Sequence, residues 1–298
     1  MGFAAVHSRA VWGLEAPRVT VEVHLANGLP SFGLVGLAET EVREARERVR
    51  SAILNSGLAF PSNQRITVNL APADLPKESG RFDLPIAVGI LAASGALPPE
   101  ALVGYEFAGE LSLSGELRPV RGALAMAQAL HQEGSTAALV LPAGSAQEAA
   151  LVPGTRVYSV KQLQEVLQAL APTTSTSPAA QAWQPLQVQT DLPPESLLAC
   201  GDLQDIKGHT GVKRALEVAA AGGHSLLLVG PPGAGKSMLA QRLAGLLPPL
   251  RLEQALQTAA IHSIYGPVGL AQWGQRPYRH PHHSASLAAL VGGGAPPR

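Results

Sequence analysis

The residues most able to do chemistry lie in one run, His224 to Met238, which reads H-S-L-L-L-V-G-P-P-G-A-G-K-S-M. Within it Gly230, Pro231, Pro232, Gly233, Ala234, Gly235, Lys236 and Ser237 form G-x-x-x-x-G-K-S, the pattern of a phosphate-binding loop. Glycines let successive backbone N–H groups turn inward around a polyphosphate without a Cβ in the way. A helix starting at the loop adds the positive end of its dipole. Lys236 then supplies a mobile point charge for the β- and γ-phosphates, Ser237 a hydroxyl for Mg²⁺, and Met238 the next backbone amide. Two elements must position these groups. Leu226-Leu-Leu-Val229 suits a buried parallel strand, and Met238 to Ala244 suits a helix. A Gly/Pro turn with a surface lysine is the plainer alternative, and it leaves that strand and helix context unexplained.

Hydrolysis of a bound nucleotide also needs a carboxylate near the Mg²⁺ and a group that orients water, normally at the end of a later strand. From Gln254 to Arg298 there is no Asp or Glu, and Glu253 sits in a helix-like segment. The expectation is that the chain is a fragment, or that it binds nucleotide without turning it over.

At 298 residues the chain has room for about two domains. Its 22 basic and 22 acidic residues cancel, which argues against a polybasic nucleic-acid or membrane binder. The longest apolar stretch, Leu84 to Leu97, is interrupted by Pro85, Gly89 and Gly95, so no membrane span is expected. The first residues have no signal-peptide layout, and the single cysteine, Cys200, fits a reducing compartment. The expected location is cytoplasmic.

A Pro/Ser/Thr/Gln-rich stretch from Ala171 to Pro194 reads as a linker, giving domains over 1–170 and 196–298 with 171–195 between them. In the first domain Arg18 to Leu25 alternates as a strand, Asn27-Gly28 supplies a tight turn, and Pro30 to Leu37 is expected back as its hairpin partner. Glu39 to Leu54 is an amphipathic helix with Val42, Ala45, Val49 and Ile53 on the apolar stripe. Its Glu39/Arg43 and Glu44/Arg48 pairs are expected on a solvated face. Further strands are expected at Arg65–Leu70, Phe107–Leu113, Ala137–Pro142 and Arg156–Val160, and helices at Leu84–Ala93, Gly122–His131 and Lys161–Leu170. The mixture is α/β or α+β.

Several longer motifs are recognisable. Gly28-Leu-Pro-Ser-Phe-Gly-Leu-Val-Gly-Leu-Ala-Glu-Thr, Asn69-Leu-Ala-Pro-Ala-Asp-Leu-Pro-Lys-Glu, Phe82-Asp-Leu-Pro-Ile-Ala, Gly109-Glu-Leu-Ser-Leu-Ser-Gly-Glu-Leu, Ala220-Ala-Gly-Gly-His and Arg276-Pro-Tyr-Arg-His-Pro-His-His-Ser-Ala-Ser resemble the ComM/YifB family of magnesium-chelatase-like AAA+ ATPases. The resemblance covers essentially the whole chain. It implies an N-terminal Lon-protease-like domain of the ribosomal S5 domain 2-like kind, followed by a partial P-loop AAA+ domain. It also implies ATP and Mg²⁺ as cofactors, a homo-hexamer, and, in the ComM branch, DNA branch migration during natural transformation. Relatives continue past Gly292-Gly-Gly into a strand ending in Asp-Glu, a sensor, an arginine finger and a lid. The chain is accordingly expected to be truncated before that strand and deficient in hydrolysis.

A Lon-like domain raises the question of a Ser-Lys dyad. Set against the Lon segment, Ile86 falls at the serine position and Met126 near the lysine, so no peptidase is expected; Lys77 and Ser79 lie nearby as a displaced pair, with a Pro/Gly-bounded polar turn as the commoner explanation. His280-Pro-His-His283, with His262 upstream, lacks the spaced ligands of a zinc site, and adjacent histidines in an extended segment should point apart. Arg276, Arg279, His282 and His283, with Trp273 and Tyr278 interleaved, instead offer a basic loop for DNA or for a neighbouring subunit. Asp202 to His209 resembles the segment beside adenine in AAA+ proteins, with a helix cap as the alternative for its acids. Two functions remain open: a DNA-remodelling motor, or a chelatase-type assembly ATPase without DNA. The resemblance favours the first, because chelatase subunits are expected to resemble only the part after Asp202.

Overall fold

The computed structural model describes residues 2–35, 40–75, 77, 80–171, 183–187, 201–266 and 273–292. They fall into two compact units, Met1–Asp191 with Leu256–Ala271, and Leu192–Ala255 with Gln272–Arg298.

The first unit holds β1 (Gly2–Arg9), β2 (Arg18–Ala26), β3 (Ser31–Val35), α1 (Thr40–Asn55), β4 (Arg65–Ala71), α2 (Asp83–Ala93), β5 (Tyr105–Phe107), β6 (Glu110–Leu111), β7 (Leu117–Arg118), α3 (Ala123–Gln132), β8 (Ala138–Pro142), α4 (Ala143–Ala149), β9 (Arg156–Val160) and α5 (Leu163–Leu170). Seven strands form one mixed sheet in the order β3-β4-β2-β1-β5-β8-β9, and β6 pairs with β7 separately. The pairs β3–β4, β1–β5, β5–β8 and β8–β9 are parallel, while β1–β2 and β2–β4 are antiparallel. This is a mixed α/β fold dominated by parallel pairing.

Alternation decides the inner face. Val19, Val21, Val23 and Leu25 are buried along β2, with Leu70, Val68 and Ile66 opposite the last three on β4. Helix α2 packs against β1 and β2. All eleven of its residues are buried, as expected for a helix apolar on every side. Gly89 makes the close approach possible: a Cβ there would lie 2.6 Å from Val23 Cγ2 and 3.3 Å from a Val6 methyl. Ala45, Val49 and Ile53 of α1 are buried as their spacing requires; Val42 lies outside the residues described at side-chain level.

Four expectations are corrected. The Asn27-Gly28 bend does not close a hairpin: β2 has β1 and β4 on its two sides, and β3 runs parallel to β4. Gly2–Arg9 is a strand that the sequence reading passed over. The expected strand from Phe107 to Leu113 is divided between β5 and β6. Arg48 reaches from the expected solvated face to solvent-free Asp83, with Nε donating to Oδ2 at 2.7 Å and Nη2 to Oδ1 at 3.1 Å. Leu111 N–H also donates to Asp83 Oδ2, at 3.1 Å. Burial still wins, pushing the Asp83 carboxyl up to about 6 against the pull of Arg48.

Part of the expected linker is ordered against the sheet. Trp183 stacks on Tyr105 at 5.5 Å and meets Tyr158 at 4.8 Å, and Leu186 N–H donates to Val157 O of β9 at 2.7 Å. Residues 256–271, which the sequence reading assigns to the later domain, group with the first unit. There Ser263 Oγ donates to Glu148 Oε1 at 3.0 Å, and Gly122 N–H donates to Ser263 O at 3.1 Å.

The second unit contains a short 3₁₀ turn at Leu203–Asp205, α6 (Thr210–Gly222), α7 (Lys236–Leu246), the start of α8 (Leu252–Tyr265) and α9 (Leu287–Val291). Leu203, Ile206, Leu216 and Leu239 form its small core, with Val212, Leu228, Leu243 and Leu246 packed on it.

Candidate nucleotide-binding site

Gly233 and Gly235 take φ of 81° and 74°, left-handed values at which a Cβ is strained. Gly235 is the N-cap of α7 and supplies no side-chain cap, so the first N–H groups of the helix face the loop without a side-chain partner. That is the geometry an anion needs at a helix start. Leu239, 2% exposed, ties α7 to the small core. Leu239 N–H closes the first turn on Gly235 O at 2.9 Å.

Lys236 lies across the loop, its Nζ donating to Gly230 O at 2.8 Å and Pro231 O at 2.7 Å. An ammonium satisfied by exposed carbonyls can exchange them for phosphate oxygens at small cost, because both states are hydrogen-bonded. Ser237 and Met238 are exposed. The loop residues therefore fit a magnesium-bound polyphosphate in charge, donors and access.

The strand expected before the loop does not form. Leu227 and Val229 are 86% and 87% exposed, and the second unit has no strand among its described residues. Without a neighbour to complete the ladder, an apolar run has no reason to become a strand. Leu228 alone packs against the core.

The approach to α6 passes the loop. A Cβ on Gly235 would lie 3.9 Å from His209 Nε2, and His209, at φ 53°, is the N-cap of α6. The acids before it form a capping box: Asp202 Oδ1 accepts from Gln204 N–H at 2.9 Å, and Asp205 Oδ2 accepts from Asp202 N–H at 3.1 Å. The proximity of His209 to the loop is the feature that sequence reasoning missed. A histidine after Gly208 carried no signal of its left-handed backbone.

The basic loop is laid out differently from its sequence pattern. Arg276 Nε donates to Pro248 O at 2.6 Å, so it is engaged within the second unit. His282 and His283 do not point apart: their rings are 4.1 Å from each other, because Ala285 N–H closes a turn on His282 O at 2.9 Å. His282 Nδ1 lies 2.7 Å from Ser284 Oγ. Among the described residues no group of His, Cys, Asp and Glu is placed to hold a metal ion.

The protease positions are apolar and sealed, with Ile86 and Met126 both fully buried. Lys77 is buried too, donating to Leu75 O at 3.1 Å and to Pro72 O, and burial lowers its pKa. Ser79, its suggested partner, lies outside the described residues.

Two family models match the chain. One described as subunit ChlI of Mg-chelatase matches residues 21–145, and one described as magnesium chelatase, subunit ChlI, matches 202–298 and takes in the whole loop. YifB of Salmonella typhimurium is 49% identical over 298 residues, and YifB of Escherichia coli is 47% identical over 307. Competence protein ComM of Haemophilus influenzae is 47% identical over 304. The chain belongs to the ComM/YifB family of magnesium-chelatase-like proteins. All of the chain is covered in these three matches, against 56%, 56% and 57% of the respective relatives, so it spans a little over half of their length. The match at 21–145 corrects the expectation that chelatase likeness begins after Asp202. Among the described residues of this ComM/YifB-family chain, no helix is long and apolar enough to cross a membrane.

Proposed function

We propose that this chain binds ATP with Mg²⁺ through Gly230 to Ser237, as the nucleotide-holding part of an AAA+ motor that remodels DNA in the manner of the ComM branch. The single observation that carries the reading is the uncapped start of α7 behind two left-handed glycines, with Lys236 already on the loop. The Haemophilus relative is a competence protein, which supports placing this chain in that branch. On this reading the first 170 residues are a Lon-like domain without a protease dyad, 171–195 a linker and 196–298 part of the AAA+ domain. The working protein is a homo-hexamer, and Arg276, Arg279, His282 and His283 face DNA or the next subunit.

Each group has one task. The N–H groups at the start of α7 hold phosphate oxygens, Lys236 moves from the loop carbonyls to the β- and γ-phosphates, and Ser237 offers its hydroxyl to the metal. Mg²⁺, when bound, neutralises phosphate charge. A chelatase-type assembly role without DNA is the second reading, favoured by the ChlI descriptions on both matched regions.

Titration of the chain with ATP and Mg²⁺, beside Lys236→Ala, tests the site. Loss of a charge-assisted contact should weaken binding about tenfold or more. Equal affinity in the two proteins would remove the loop from the account. A fluorescent branched DNA, added with ATP, separates the two readings: binding weakened by Arg276→Ala/Arg279→Ala supports the motor, and no binding supports the assembly role.

A further inference from the structure

The loop between β1 and β2 is braced along its length. Ala10 N–H donates to Pro17 O at 3.0 Å, and Trp12 and Glu15 exchange backbone bonds of 2.9 and 3.1 Å around Gly13, at φ 60°, and Leu14. Buried Arg9 holds the base, with Nη1 donating to Ala16 O at 2.9 Å while Glu106 and Glu133 accept from all three of its nitrogens. Val11 packs on the start of α3, where a Cβ on Gly122 would lie 3.0 Å from both Val11 methyls. What this bracing presents is apolar: Trp12 is 62% and Leu14 52% exposed. A tryptophan held rigid outside the core gives up little freedom when a partner covers it, which suits it to anchor a contact.

The opposite end of the same strands carries a pocket. Strand β2 runs from Arg18, beside the tip, to Ala26, whose register partner Arg65 is paired in turn with Ser31. There Phe32, Phe60, Pro61 and Ile66, with Arg50 and Glu47 of α1, line a cavity of about 240 Å³, below the usual range for a small-molecule site. The Arg50 guanidinium lies 5.9 Å from the centre of the Phe60 ring. An indole entering this pocket meets aromatic rings, a cation, and a carboxylate that can accept from its N–H. Glu15 of the tip and Arg50 of the pocket are both exposed, and neither forms an ion pair among the described residues. The nine residues of β2 span roughly 27–30 Å, so the tip cannot reach the pocket of its own chain.

We propose that the Trp12–Leu14 tip of one copy seats in the Phe32, Phe60 and Arg50 pocket of a second copy, with Glu15 beside Arg50. Both halves of the contact are carried by one chain, and within that chain they are held apart. Such a contact joins unlike surfaces head to tail, so it builds a ring if its rotation closes and an open chain if it does not. It rests on the homo-hexamer reading only for ring closure; the contact itself lies in the first unit and stands independently of the nucleotide loop. The acid on the tip sets aside two other occupants. A Glu15 carboxylate carried in with Trp12 is repelled by the phosphates of a nucleic acid or of an anionic membrane.

The test is sedimentation velocity of the full chain over a range of concentrations, with two variants that each spoil one half. Trp12→Ala lacks the tip and keeps the pocket; Arg50→Glu keeps the tip and reverses the charge of the pocket. Both replace exposed side chains and should leave the unfolding midpoint in place. Wild type should form species beyond the dimer. Trp12→Ala should self-associate about thirtyfold or more weakly, as for loss of an anchoring aromatic, and Arg50→Glu about tenfold or more. Mixed, the two should recover a one-to-one complex, because the tip of Arg50→Glu then meets the intact pocket of Trp12→Ala. Lys236→Ala should associate like wild type, which keeps the result distinct from the fate of the nucleotide site. Trp12-dependent open chains, or rings of another size, would uphold the contact and remove the homo-hexamer reading. A monomeric wild type, variants that associate as wild type does, a mixture that stays monomeric, or a wild type that stops at the dimer would overturn the proposal. So would Trp12-dependent binding of oligo-dT or of phosphatidylserine/phosphatidylcholine vesicles in place of self-association, assigning the tip to nucleic acid or to a membrane.

Discussion

Ala138-Leu-Val-Leu-Pro142 and Leu226-Leu-Leu-Val229 are nearly interchangeable as sequences, yet they end in opposite states. The first is β8, bonded to β5 and β9, with Leu139 1% exposed and Val140 and Leu141 fully buried. The second forms no strand, and Leu227 and Val229 are 86% and 87% exposed. The difference lies in the neighbours. A parallel strand is stable only with partners on its edges and cover on its faces, and the first unit provides both for β8. Apolar composition nominates a strand, and the surroundings decide it.

The sharpest way to break this comparison is a charge in each run. Val140→Asp buries an unpaired carboxylate and should cost about 4 kcal/mol or more, enough to prevent the first unit from folding. Leu227→Asp meets water and should stay within about 0.5 kcal/mol. Urea unfolding followed by circular dichroism would check both, and similar costs would dissolve the contrast.

The buried charge of the first unit gives the next largest effect. Asp83 titrates near 6 in the fold, against 3.8 unfolded, a difference worth roughly 3 kcal/mol. The folded state holds its proton more tightly, so stability is highest at pH below about 4, falls as pH rises to about 6, and is level above that. Asp83→Asn should flatten the dependence across that window, measured by urea midpoints at several pH values. A wild-type slope of opposite sign would show that Arg48 outweighs burial.

Next in size is Lys236, whose loss should weaken ATP binding by the tenfold or more already given. Smaller again is Trp183→Ala, which removes one aromatic face from Tyr105 and Tyr158 and should cost about 1 kcal/mol of first-unit stability. Its indole fluorescence should be that of a stacked ring, checked by difference against the variant.

Elements with their own periodicity were readable in the sequence. Ala45, Val49 and Ile53 declared α1 by spacing, and the all-apolar Leu84 to Ala93 run declared a buried helix. The backbone of the loop was legible too, since the left-handed φ of Gly233 and Gly235 is a local property of glycine. What stayed hidden depends on distant partners. Gly2–Arg9 mixes small and polar residues and is a strand because β2 and β5 flank it. Asn27-Gly28 signals a turn, but not that β2 has both edges taken. Arg48 had a local partner at the right spacing, which gave no sign of Asp83, a buried acid 35 residues away.

The central claim is that an open loop at the start of α7 becomes ordered by nucleotide while the first unit is complete without it. Amide hydrogen exchange across 138–142 and 224–246, with and without saturating ATP and Mg²⁺, tests it directly. The account predicts strong protection of β8 in both states, fast exchange at 226–229 in the free protein, and slowed exchange at 233–238 only when nucleotide is present. Exchange at 233–238 that ATP leaves unchanged, or protection at 226–229 equal to that of β8 in the free protein, would contradict it.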